Sequence, residues 1–261
     1  ALTRRCQAAD ATLTAVRPAR ELPYRGTAVG VGAGAAVALL AFASGGYYPT
    51  AWGWGALVAL WLVATYLVIG TVARPAPLAL AFVGGLGLLA AWTWLSLTWS
   101  EDVDQTVLEG QRVLLYLVAV AALVLVVRRD RVAPLLAGAT AGIVLAAGYG
   151  LATRLFPDRL GVFEPTAGYR LSEPFYWNAL GLFSAIGALL ALGFALRGSL
   201  PARALGSAAL PILLTATYFT FSRGAWIAFG AGLLATVALD PRRLQALAGG
   251  LVLAPVPALA V

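Results

Sequence analysis

Arginine supplies every basic side chain of this sequence of 261 residues, which has 18 arginines, no lysine and no histidine. Without lysine the chain offers no Schiff-base chemistry, and without histidine it offers neither an imidazole general base nor a zinc–imidazole site. The single cysteine, Cys6, cannot form a disulfide within the chain. The chemistry that remains is mainly that of the guanidinium group, which binds anions through five donors in a planar fork.

Arg223 belongs to the strongest candidate anion site. Hydroxyl-bearing side chains lead up to it in the segment Thr215-Ala-Thr217-Tyr218-Phe-Thr220-Phe-Ser222-Arg223. Gly224 follows and would let a ligand approach the backbone closely. An arginine at the end of a membrane span can instead snorkel toward the lipid headgroups. Because a guanidinium group matches phosphate oxygens bidentately, we favour the anion site.

A second arginine, Arg170, stands near the start of the segment Tyr169-Arg170-Leu-Ser-Glu-Pro-Phe-Tyr176-Trp177-Asn178-Ala-Leu-Gly181. Pro174 and the aromatic run after it predict a bent start to the next apolar helix. Asn178 lies just inside that helix, so its amide needs a hydrogen-bond partner. Arg170 is interpreted equally well as a functional cation or as a loop arginine that pairs with Glu164 or Glu173.

Carboxylates cluster in a third segment, which reads Trp99-Ser-Glu101-Asp102-Val-Asp104-Gln. Carboxylates this close in sequence can bind a divalent cation. The alternative is a solvated acidic loop, and this is the interpretation we favour. Arg112 follows at the head of an apolar run, where it is suited to a lipid headgroup or a bound phosphate.

The elements that position these residues are predicted to be membrane spans. Hydrophobic residues make up 61% of the chain, charged residues make up 11%, and the mean hydropathy is +0.86. Soluble domains average about 45–50% apolar and about 25% charged residues. The composition therefore excludes a soluble globular domain and predicts an all-α, polytopic integral membrane protein.

Nine runs have the length and apolarity of a span. They cover roughly residues 27–44, 52–73, 77–98, 112–127, 132–153, 175–196, 205–221, 224–239 and 244–261. We expect residues 1–26 to form a cytoplasmic N-terminal segment and residues 27–261 to form a single transmembrane domain. The last run ends without a charge or an aromatic anchor, which leads us to expect that the chain stops before a large outer loop.

The distribution of charge orients these spans. Of the 18 arginines, 13 lie in the N-terminal tail and in every second loop after it, whereas acidic residues concentrate in 99–111 and 154–174 on the opposite side. By the positive-inside rule the N-terminus is cytoplasmic, and both acidic segments and the Ser222-Arg223 turn face outward. Because topology explains the net charge of +7, we do not expect nucleic acid as a partner.

Small residues recur at intervals of four in two of the runs. The sets are Gly26, Gly30 and Gly34 in the first run and Gly224, Ala228 and Gly232 in the eighth. This spacing puts small residues on one helix face and predicts a close approach of another helix backbone there.

Two of these segments carry a resemblance to a known family. Residues 170–181 resemble the R-L … N-A-L-G stretch of the bacterial O-antigen ligase family, and Phe221-Ser-Arg-Gly-Ala-Trp226 resembles its S-R-G-A signature. Trp99-Ser100 followed by acids is similar to another outer loop of that family. The resemblance covers about residues 80–240 in order and spacing.

The resemblance implies a glycosyltransferase. Members of the family transfer a glycan from a polyprenyl diphosphate carrier to a glycan or lipid acceptor on the outer face of the bacterial cytoplasmic (inner) membrane. It also implies a GT-C-like helical fold, membrane lipids as further partners, and neither a metal nor another cofactor. Arg170 and Arg223 match the motif arginines and are the expected catalytic residues at the diphosphate. The expected substrate-binding residues are Arg112, Tyr169, Trp177, Asn178 and Ser222.

Two questions stay open at this point. The family uses a histidine on a large outer loop as general base, and this chain has no histidine. We expect the base beyond Val261, with Glu173 as the alternative. An O-antigen or polysaccharide polymerase is an alternative function with the same donor. An anion or small-solute transporter is an alternative of another class, although its usual signs, a paired intramembrane acid or a broken helix at the midplane, are missing from the sequence.

Overall fold

The computed structural model describes residues 24–69, 75–160 and 169–239, and within these ranges every regular element is helical. In chain order the helices are α1 (Tyr24–Phe42), α2 (Pro49–Ile69), α3 (Pro77–Leu95), α4 (Val103–Val126), α5 (Val132–Leu155), the single-turn α6 (Pro157–Leu160), α7 (Trp177–Arg197), α8 (Leu200–Phe219) and α9 (Arg223–Leu239). The prediction of an all-α protein is confirmed.

Five helical stretches are long and apolar enough to cross a membrane. They are Pro77–Thr98, Val103–Leu125, Arg129–Leu155, Trp177–Arg197 and Leu200–Phe219. Three more helices, α1, α2 and α9, contain shorter apolar stretches of 10–17 residues. The predicted span 244–261 and most of the predicted cytoplasmic segment, up to residue 23, lie outside the described residues.

The fourth span begins earlier than predicted, because α4 already starts at Val103. Asp102 caps this helix, and its Oδ1 accepts the main-chain N–H of Gln105 at 3.0 Å. Glu109 pairs with Arg112 one turn further on, at 2.8 Å. These polar contacts stabilise helical turns outside the apolar run, so most of the acidic segment is helix and not loop. A search for apolar runs finds only the later part of such a helix.

The predicted small face of α1 packs directly on α5. An ideal Cβ at Gly30 would lie 2.9 Å from the carbonyl oxygen of Pro134, and one at Gly34 would lie 2.8 Å from that of Gly138. Larger side chains on this face would push the two backbones apart, so the prediction of a close approach is confirmed for α1. In α9, the nearest atoms to Gly232 belong to the side chain of Leu189 in α7, and Gly224 faces open space, so a close backbone approach is not seen at these two glycines.

The helices form two groups. The first consists of α1, α5, α7, α8 and α9, and in the second α2 and α3 pack on α4. Small side chains fill the centre of the first group, where Ala147, Ala188 and Ala216 are fully buried. Half of the α7 span is buried, compared with 6% of the α3 span. The first group is therefore the packed core, and α3 exposes most of its apolar surface.

The candidate residues collect at one end of the bundle, where contacts join the end of α1 to the last turns of α5, the end of α3 to the first part of α4, and the start of α7 to the turn between α8 and α9. This end, the site end, holds the last residues of α1, α3, α5 and α8 and the first residues of α2, α4, α7 and α9. At this end the ring of Phe175 packs against Gly45, and an ideal Cβ built on Gly45 would lie 3.1 Å from that ring. The opposite end holds Arg129, Arg197 and Arg203. This separation agrees with the predicted topology, while the orientation relative to the cytoplasm stays a prediction.

Candidate functional site

The segments that carry Arg170 and Arg223 lie against each other at the site end. The main-chain N–H of Leu171 donates to the carbonyl oxygen of Phe219 at 2.9 Å. A glycine, Gly181, brings the first turns of α7 onto the turn between α8 and α9. The tertiary fold thus joins the two motif segments through one backbone hydrogen bond and one close packing contact.

The turn between α8 and α9 is held by its own hydroxyl groups. Thr217 and Thr220 are fully buried, and their hydroxyls donate to the carbonyl oxygens of Leu213 and Thr217 at 2.8 and 2.7 Å. Ser222 Oγ accepts the N–H of Ala225 at 3.3 Å and caps α9. The hydroxyls of Thr217 and Thr220 therefore hold the end of α8, and both side chains are buried. Ser222 is 4% exposed and has a capping role, and its contact with substrate stays a prediction.

Arg223 is the first residue of α9 and is exposed. Within the described part of the chain it has no ion-pair partner. Gly224 beside it faces open space, with no atom within 4 Å of its ideal Cβ. The free N–H groups at a helix N-terminus favour an anion, and the adjacent guanidinium adds a full positive charge. This end of α9 is therefore suited to bind an oxyanion.

Arg170 is exposed and lies over an aromatic ring. Its guanidinium carbon is 5.2 Å from the ring centroid of Trp177, the first residue of α7. The Trp177 ring in turn lies 4.3 Å from that of Tyr176. Asn178 Nδ2 donates to the Tyr176 hydroxyl at 3.1 Å, so the predicted need for an amide partner is confirmed. This contact holds Arg170 beside the start of α7, while its exposed side chain remains accessible to a ligand.

Arg154 joins the two motif segments, a role that sequence reasoning missed. It is in the last turn of α5 and donates to the carbonyl oxygen of Tyr169. Its guanidinium carbon also lies 4.2 Å from the ring centroid of Phe219. One arginine thus contacts the residue before Arg170 and the last residue of α8. The available signal was its position, since it is an arginine at a span end on the side that carries few arginines.

Arg112 lies in a neighbouring cavity of about 970 Å³ between the two helix groups. The end of α1, the turn after it, α4 and residues 174–183 form the walls. Arg112 pairs with Glu109 and lies 5.9 Å from the ring centroid of Tyr47. Arg170 and Arg223 do not line this cavity. The structure therefore places Arg112 apart from the two segments that carry Arg170 and Arg223.

Comparisons of the chain with protein-family models, with curated proteins and with solved structures found no match. The helices themselves indicate the class, an integral membrane protein. Its described residues carry two exposed arginines on adjoining segments at one end of the bundle.

Proposed function

We propose that this protein transfers a glycan from a polyprenyl diphosphate carrier to a glycan or lipid acceptor on the outer face of the bacterial cytoplasmic membrane, as O-antigen ligases do. The observation that carries the proposal is the backbone hydrogen bond from Leu171 to Phe219. It supports a shared site because it ties the Arg170 segment to the turn that presents Arg223. Nine spans, a cytoplasmic N-terminus and a GT-C-like fold belong to the same proposal.

The chemistry requires cations at the leaving group. A hydroxyl oxygen of the acceptor attacks the anomeric carbon of the glycan, and the bond from that carbon to the diphosphate oxygen breaks. The departing polyprenyl diphosphate gains negative charge, which Arg170 and Arg223 stabilise as the transition state forms. Two arginines suit a diphosphate because each can form a bidentate pair of hydrogen bonds with one phosphoryl group.

The hydroxyl proton must pass to a base as the bond forms. Glu173 is a carboxylate in the same segment as Arg170 and is only partly exposed. Its replacement by glutamine tests the role, since the amide would keep the shape of the side chain but could not take up the proton. If Glu173→Gln transfers the glycan at an unchanged rate, then another residue is the general base.

Transfer measured in proteoliposomes with a polyprenyl diphosphate-linked glycan tests the proposal. We expect Arg170→Gln and Arg223→Gln each to lower the rate by about 10²–10³, the usual loss for one stabilising donor at developing charge. Arg223→Lys should also impair transfer, because lysine keeps the charge but loses the planar fork. The matched control is Arg159→Gln, which removes an exposed arginine from α6 at the same end. Equal rates in all four variants would overturn the proposal.

A further inference from the structure

The cavity beside Arg112 changes character along its depth. Tyr47, Tyr48 and Tyr176 line its outer part and are all more than half exposed. Val37 and Phe183 line its inner part, each more than one helical turn from the nearest helix end. At 1.5 Å per residue, these two side chains lie about 7–9 Å below the ends of α1 and α7. The cavity is thus polar and aromatic at its mouth and apolar toward the middle of the bundle.

Arg112 provides the charge of this cavity, since the other lining residues are neutral. Its side chain is 25% exposed, and one of its nitrogen atoms, Nη1, donates to Glu109 Oε1. A guanidinium has five N–H donors, so the ion pair leaves donors for a second acceptor. Glu109 is 42% exposed and also accepts from Gln105 Nε2 at 3.1 Å. This carboxylate therefore competes with any anion that enters the cavity.

Two aromatic rings link this cavity to Arg170, which does not itself line it. Tyr176 lines the cavity, its ring lies against Trp177, and the other neighbour of Trp177 is Arg170. Because Arg170 does not line the cavity, a ligand bound inside it is expected to contact Arg112 and not Arg170.

We infer that the cavity binds one lipid with a phosphate-bearing headgroup, whose phosphate contacts Arg112 and whose acyl chain lies along Val37 and Phe183. A cation at the mouth and an apolar interior match the two parts of such a lipid. The volume of about 970 Å³ is large for a phosphate ion but fits a headgroup and part of a chain. The inference rests on this cavity alone and holds whether or not the proposed transfer is correct.

Native mass spectrometry of the detergent-solubilised protein tests the inference, with phosphatidic acid as the probe and phosphatidylcholine as the zwitterionic comparison. We expect tighter binding of phosphatidic acid. Arg112→Gln should weaken it at least about tenfold, the loss expected for a hydrogen bond to a charged group. Glu109→Gln should tighten it by about two- to five-fold, because it removes a competing, partly exposed ion pair. A purely structural role for this pair would not give opposite signs.

Two further variants separate a lipid from a small anion. Ala179→Trp fills the cavity without changing charge, since Ala179 is exposed and lines it, and it should weaken lipid binding. Arg170→Gln should leave lipid binding unchanged. Full binding in Arg112→Gln, or an equal loss in Arg170→Gln, would overturn the inference. So would unchanged binding in Ala179→Trp together with complete competition by inorganic phosphate, which would indicate a phosphate site without a chain.

Discussion

Gly181 determines how closely α7 approaches the turn between α8 and α9, and Gly181→Ala probes that contact. An ideal Cβ at this position would lie 2.6 Å from Thr220 Oγ1, 3.0 Å from Ala225 Cβ and 3.1 Å from Ser222 Cβ. All three neighbours are at most 4% exposed. Thr220 cannot turn away cheaply, because its hydroxyl donates to the carbonyl oxygen of Thr217. The added methyl group must therefore move α7 or the turn.

The size of the effect follows from two opposing terms. Three short contacts with buried atoms place the overpacking cost at the upper end of its range, about 3 kcal/mol. Alanine is a better helix former than glycine, and this preference stabilises the folded state by about 1 kcal/mol. We therefore expect Gly181→Ala to lower the free energy of unfolding by about 2 kcal/mol.

Thermal unfolding in detergent, followed by tryptophan fluorescence, measures this effect. Gly224→Ala is the matched control, because it adds the same methyl group where no atom lies within 4 Å. Its apparent Tm should equal or slightly exceed that of the parent protein, since alanine favours helix. The argument fails if Gly181→Ala unfolds at the parent temperature, or if both variants lose the same stability.

Two other predictions concern the segment around Tyr169, namely how it is held and on which side of the membrane it lies. Arg154→Gln removes the bond to the carbonyl of Tyr169, so we expect faster hydrogen exchange at the amide of Leu171; unchanged exchange would show that Arg154 does not hold the segment. In a Cys6→Ala background, an impermeant thiol reagent added outside should label Tyr169→Cys and miss Arg129→Cys, and the reverse pattern would contradict the predicted topology.

The sequence by itself determined the class of fold. Apolar runs of span length must bury their backbone polar groups in helices, which is why composition and run length predicted the all-α architecture. The glycine spacing on α1 likewise predicted the close approach to α5, because a pattern of small residues is a local property. The start of α4 was missed because an N-cap and side-chain pairs extend that helix to Val103, and hydropathy does not detect them.

Tertiary packing decided which candidate residues share a site. From sequence, Arg170 and Arg223 were the expected catalytic cations and Arg112 was an expected substrate-binding residue, all at one membrane face. In the structure, Thr217 and Thr220 are buried, and their hydroxyls donate to carbonyl oxygens of α8. Arg112 lies in a separate cavity, while the other two arginines lie on adjoining segments. These outcomes depend on contacts between residues far apart in the chain, and no local pattern encodes which helix ends will meet.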